Sequence, residues 1–214
     1  TKSVSWTITP KDLTISNLKG GNVDYDATPH YPEIDISGVE NGDRLGVFKY
    51  GDDTIVVNYS ISGTTSGVFI NVGEYTIKVA DSNTITATRN GKAVPSSNYN
   101  VLNNANNEVK FIINPATVTI TWEDYATVGP FVYTKTNKGL AIKSLTFLAN
   151  GNTHTSNVSN GSFAGYGNDK LLVSIKGYQQ DAGSNYKMSY DSHDLVKNTT
   201  NSNIAPISGN YVFS

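Results

Sequence analysis

The side chains of this sequence able to carry chemistry are three histidines, several close pairs of carboxylates and a large set of tyrosines. His30, His154 and His193 are scattered, with none at the i+2 or i+4 spacing that turns two imidazoles toward one metal and none in a His-Glu-x-x-His pattern. They read as exposed surface histidines, and no metal site is expected. The acidic pairs Asp24 and Asp26, Glu40 and Asp43, Asp52 and Asp53, Glu123 and Asp124, and Asp191 and Asp194 raise the question of calcium. None completes an Asp-x-Asp-x-Asp-Gly loop with its distal glutamate, so they read as solvated turn residues. No Gly-x-Ser-x-Gly elbow, phosphate-cradling glycine loop or dinucleotide fingerprint occurs. No catalytic residue and no cofactor are assigned, and the chain is expected not to be an enzyme. One covalent reaction needs only common residues: a Lys amine can form an amide with the side-chain carbonyl of an Asn on a neighbouring strand, releasing ammonia, when a buried carboxylate assists, and both types are plentiful here.

Thirteen tyrosines and two tryptophans are a better lead, because a flat ring flanked by amides stacks on a sugar ring while the amides bind its hydroxyls. Tyr166, in Tyr166-Gly167-Asn168, and Tyr178, in Gly177-Tyr178-Gln179-Gln180, sit at glycine-containing turns, where binding side chains concentrate. These two are the ligand-binding candidates, set against the ordinary use of tyrosine as a strand residue.

The elements that must position them are strands. Apolar and polar residues alternate in Trp6-Thr7-Ile8, Leu13-Thr14-Ile15, Val57 to Ile61, Tyr75 to Val79 and Val118 to Trp122, the period of a half-buried strand. Asn41-Gly42, Asn90-Gly91, Asn150-Gly151 and Asn160-Gly161 supply the positive φ of tight hairpin turns. No helical spacing is sustained. Two polar stretches, Asn98 to Asn107 and Asp181 to Asn203, are expected to be loops or to hold a single helical turn.

Composition narrows the class further. Sixteen basic against eighteen acidic residues give a net charge of −2, so no field draws in nucleic acid or anionic lipid. Cysteine is absent, which removes disulfides and thiolate metal sites. No run approaches the ~18 apolar residues of a membrane-spanning helix, so membrane insertion is not expected. The start at Thr1-Lys2-Ser3 suggests a piece of a longer protein.

An internal repeat appears: Trp6-Thr7-Ile8-Thr9-Pro10-Lys11-Asp12-Leu13-Thr14-Ile15 is echoed by Phe111-Ile112-Ile113-Asn114-Pro115-Ala116-Thr117-Val118-Thr119-Ile120, 105 positions later. Ser97-Asn98-Tyr99 finds an echo in Ser184-Asn185-Tyr186, and Tyr211-Val212-Phe213 is set against Phe111-Ile112-Ile113. The register divides the chain into residues 1–9, the closing strand of an upstream repeat, a first β repeat at 10–114 and a second, divergent one at 115–214. The expected fold is all-β, two tandem Ig-like β-sandwiches in an elongated arrangement stiffened at Pro115, with β-grasp-like units as the alternative.

Thr9-Pro10, Tyr25-Asp26-Ala27-Thr28-Pro29, Gly38-Val39-Glu40-Asn41-Gly42-Asp43, Asn71-Val72-Gly73-Glu74-Tyr75-Thr76 and Ser97-Asn98-Tyr99 follow one another in the first repeat. In this order they resemble the MBG-type and YDG-type repeats of large bacterial surface adhesins, such as those of lactobacilli. The second repeat matches less well, keeping Asn114-Pro115 and Ser184-Asn185-Tyr186 but replacing the Tyr-Asp segment by Val128-Gly129-Pro130. The resemblance implies an extracellular protein, anchored to a Gram-positive-type cell wall through regions outside this stretch. It implies attachment to host glycoprotein or mucin glycans, or spacing, by a chain monomeric within a longer repeat array. The alternative is a carbohydrate-binding module serving a surface enzyme.

Overall fold

The computed structural model describes residues 2–42, 46–62, 69–80, 85–104, 108–196 and 207–214, with only the backbone given for 41–42 and 59–62. Asp43, residues 105–107 of the first polar stretch and residues 197–203 of the second therefore lie outside the described residues. The chain is all-β, with one four-residue α-turn at Tyr125–Val128 and two short 3-10 turns among the described residues.

Contacts divide it into two compact units: Thr1–Asn22, His30–Phe69 and Glu74–Ile112 form the first, and Val23–Pro29, Ile70–Gly73 and Ile113–Ser214 the second. The first carries strands β1 (Lys11–Lys19), β2 (Gly21–Asp24), β3 (Glu33–Ser37), β4 (Asn41–Gly42), β5 (Val47–Tyr50), β6 (Asp53–Val57), β7 (Tyr59–Ser62), β8 (Gly73–Val79), β9 (Ile85–Arg89), β10 (Lys92–Ala93), β11 (Tyr99–Asn103) and β12 (Val109–Asn114). The unit boundary cuts β2, β8 and β12 near their ends. Sheet orders are β11-β1-β3, β10-β9-β6-β5-β4 and β2-β12-β8-β7. Alternation gives the longer strands a buried row: Leu13 and Ile15 of β1, Ile55 of β6 and Ile77 of β8 are wholly buried. Phe69 stacks on Phe111 at 5.3 Å and meets Tyr75 at 4.9 Å.

The second unit adds β13 (Ala116–Trp122), β14 (Ile142–Ala149), β15 (Asn152–Asn157), β16 (Phe163–Ala164), β17 (Lys170–Lys176), β18 (Ser189–Leu195) and β19 (Tyr211–Phe213). Two sheets result, β15-β14-β13-β19 and β16-β17-β18. They meet through Tyr190 of β18 stacked on Phe213 of β19 at 4.5 Å and through buried Val118, Leu145, Phe147 and Leu171.

Three of the four Asn-Gly pairs make the expected two-residue turns, with both residues at positive φ: Asn90-Gly91, Asn150-Gly151 and Asn160-Gly161. Asn41-Gly42 instead forms β4, paired to β5. Val57 to Ile61 divides between β6 and β7 at Asn58. Trp6-Thr7-Ile8, expected as a half-buried strand, forms none, and Trp6 and Ile8 are each 78% exposed; alternation buries a face only where a ladder partner lies alongside. The second polar stretch contains β18, whose sequence Ser-Tyr-Asp-Ser-His-Asp-Leu hides it because so much of it faces water.

The ladders also correct the second half of the internal repeat. β1 runs parallel to β11 with Lys11 opposite Tyr99, and β13 runs parallel to β19 with Ala116 opposite Tyr211. Each tyrosine follows a 3-10 turn ending in Asn, Ser96–Asn98 or Ser208–Asn210. The counterpart of Asn98-Tyr99 is thus Asn210-Tyr211 rather than Asn185-Tyr186, and Tyr211 does not match Phe111. Between β12 and β13 only Pro115 intervenes.

Candidate functional site

Two kinds of polar cluster stand out. The first recurs in both units: a hairpin of sequence Tyr-Gly-(Asp or Asn)-Asp presents a buried carboxylate to the tyrosine that opens the parallel strand. In the first unit Tyr99 donates its hydroxyl to Asp53 Oδ2 at 2.5 Å, and Arg89 clasps both carboxylate oxygens at 2.6 and 3.1 Å. The Arg89 hydrogen bonds, then that from Tyr99, hold the Asp53 carboxyl below its ordinary range. Burial and then the carboxylate push Tyr99 up to about 12. In the second unit Asp169 Oδ2 accepts the hydroxyls of Tyr25 and Tyr211 at 2.7 and 2.8 Å, and the two rings meet edge to face at 5.4 Å. Burial first, with Asp169 adding to it, raises both hydroxyls. In both clusters the carboxylate is buried and hydrogen-bonded within the protein, the arrangement of a structural node.

Tyr166 belongs to this framework. Its ring packs on Phe147 at 6.1 Å and on His154 at 6.3 Å, and its hydroxyl reaches the Asn152 carbonyl at 3.4 Å. Burial, with Asp26 and Asp24 nearby, raises its pKa. Each histidine has a partner: His30, half-buried, lies over Phe111; His154, exposed as expected, stacks on Phe147; and His193, half-buried, is bonded to Tyr190 and Ser208. No group of three potential metal ligands occurs among the described residues.

The second cluster is open. A groove of about 510 Å³ in the second unit lies between residues 125–140 and 177–188. Its rings are Tyr125, Phe131, Tyr133 and Tyr186, all exposed. Asp124 accepts the Ala126 N–H at 3.0 Å and so caps the α-turn that presents Tyr125. A Cβ on Gly129 would lie 2.5 Å from the Tyr125 ring, so glycine lets that ring fold over the turn and meet Phe131 edge to face at 5.8 Å. The opposite wall is tied down by paired backbone bonds between Lys138 and Gln179 at 2.8 and 2.9 Å, and by Gln180 donating to the Lys135 carbonyl at 2.6 Å. Gly177, at φ +111°, turns the chain where a Cβ would sit 2.1 Å from the Lys187 carbonyl oxygen.

Tyr178, the other sequence candidate, stands beside this groove: it is 46% exposed and its ring covers Gly139, whose Cβ position is 2.6 Å from it. The two candidates therefore have different neighbours and do not form one site. Sequence reasoning missed Tyr125, Phe131, Tyr133 and Tyr186. The available signal was the stretch from Tyr125 to Tyr133, which gathers aromatic rings and valines without strand alternation.

What fold and groove define is an all-β chain with an exposed aromatic recess rimmed by Gln179, Gln180, Asp181 and Asn185. Comparison with protein-family models, with curated proteins and with solved structures finds no match.

Proposed function

We propose that this chain is a repeat segment of a cell-wall-anchored bacterial surface adhesin that attaches to host-surface or mucin glycans through the groove of its second unit, with its other strands serving as spacer. The observation that carries the reading is the exposed set Tyr125, Phe131, Tyr133 and Tyr186 beside side-chain amides. Exposed rings cost solvation unless a partner covers them, and rings with amides suit pyranose faces and their hydroxyls. Affinity from so open a recess is weak per copy and rises with copy number. The ordered motifs from Thr9-Pro10 to Ser97-Asn98-Tyr99 support the adhesin compartment by resemblance.

The test is binding of the whole chain to mucin and to an array of soluble host glycans, with Tyr125→Ala and Tyr186→Ala as probes. Each substitution is expected to lower binding about tenfold, the loss of one stacked ring, with an unchanged melting temperature. Full binding retained by the double variant would sink the assignment of the groove. Tight binding competed by one small sugar would favour the carbohydrate-binding-module reading over the repeat array.

A further inference from the structure

The corrected repeat leaves one asymmetry. In the second unit, Asn210 is wholly buried: its Oδ1 accepts the Val72 N–H at 2.9 Å and its Nδ2 donates to Asn71 Oδ1 at 2.8 Å. Beside it, Gly167 of the Tyr-Gly-Asn-Asp hairpin, at φ +57°, would place a Cβ 2.8 Å from that of Ala27. Segments 23–29 and 70–73 thus cover this face of the second unit. The first unit builds the same face. Asn98 ends the equivalent 3-10 turn, its backbone N–H donating to the Pro95 carbonyl at 3.0 Å as that of Asn210 does to Ile207 at 3.0 Å. Gly51, at φ +53°, occupies the place of Gly167 in Tyr50-Gly51-Asp52-Asp53. Here, however, Asn98 is exposed, and a Cβ on Gly51 would meet nothing within 4 Å.

We infer that this face of the first unit, Tyr50, Gly51 and Asn98, is the docking surface for a second copy of the repeat formed by residues 10–114, preceding Pro10 in the same polypeptide and bringing its own Ala27 and Asn71-Val72 segments. The occupant is fixed by the equivalent face, which residues 23–29 and 70–73 of just such a repeat already cover. It is supported by Trp6 and Ile8, which match Phe111 and Ile113 ahead of the proline: the latter are 5% and 1% exposed, the former 78% each. With residues 1–9 as the closing strand of such a copy, Trp6 and Ile8 would themselves take the buried places that Phe111 and Ile113 hold. Arg89 takes at Asp53 the role that Tyr25 takes at Asp169, so the anchor on this face is Asn98 and not the carboxylate. The inference rests on the repeat-array reading above but not on glycan binding.

The experiment compares the 214-residue chain with the same chain extended by a second copy of residues 10–105 joined ahead of Thr1, so that residues 1–9 close the added repeat. The Asn98 side-chain amide NMR resonance, identified in each by its loss on Asn98→Ala, is followed together with its exchange with solvent. In the extended chain the resonance of the middle repeat should shift and its exchange slow at least tenfold, approaching the behaviour of Asn210. Asn98→Ala should lower the melting temperature of the extended chain by roughly 4–8 °C and leave that of the shorter chain unmoved. An Asn98 amide with the same shift and exchange in both chains overturns the inference, whatever the glycan screen shows.

Discussion

At Asp53, a carboxylate only 3% exposed is held ionised by Arg89 and by the hydroxyl of Tyr99. Because its folded pKa lies below the unfolded value of about 3.9, its contribution to stability is present above that value and is lost as pH falls through the depressed folded pKa. Tyr99 acts at the other limit: raised to about 12, it favours the fold below its unfolded value of about 10 and loses that contribution as pH climbs from 10 toward 12. Urea unfolding across pH should fall off at both ends, and Tyr99→Phe should abolish the tyrosine share of the alkaline loss; an unchanged alkaline slope would count against the assignment. Asp169 offers a parallel test. Asp169→Ala strands two buried hydroxyls, those of Tyr25 and Tyr211, and is expected to cost about 3 kcal/mol in chemical denaturation. Neither node is legible as such in the sequence, although both hairpins are written as Tyr-Gly-(Asp or Asn)-Asp. The carboxylates look like solvated turn residues, and only the parallel strand arriving overhead buries them.

At the scale of elements, what is readable is local. Asn-Gly sets a hairpin wherever the flanking strands pair, because the turn's positive φ values depend on two residues alone; Asn41-Gly42 escapes because the pair is itself laddered to β5. Glycines with different surroundings should respond differently. Gly151→Ala meets open space and strains only its φ of +76°, a cost of about 1 kcal/mol. Gly177→Ala forces a Cβ into the Lys187 carbonyl and is expected to cost more than about 2 kcal/mol and to weaken glycan binding by shifting the wall of the groove. Thermal melts of both variants with a mucin-binding assay check this. β18 is hidden from a pattern reading because periodicity reports burial rather than pairing, and a strand exposed along much of one face carries little of that signal.

At the scale of the whole molecule, the proposed attachment function requires repetition, because one open groove would bind weakly. A tandem fusion presenting two copies of the chain on a flexible linker should bind a mucin-coated surface roughly 100-fold more tightly than one copy, and surface plasmon resonance at matched groove concentration measures the gain. Equal affinities would argue for a single tight site.

By itself, the sequence determined that the chain is all-β, where most of its turns fall, and that β1 and β13 begin equivalent runs after Pro10 and Pro115, since these features depend on alternation and on dipeptide φ preferences. Only the tertiary structure decided which tyrosines are buried and which are exposed. It placed Tyr166 on Phe147 and gathered Tyr125, Phe131, Tyr133 and Tyr186, because segments far apart in the chain close the groove. It also aligned Tyr99 with Tyr211, a match set by ladder register between distant strands and invisible to any local pattern.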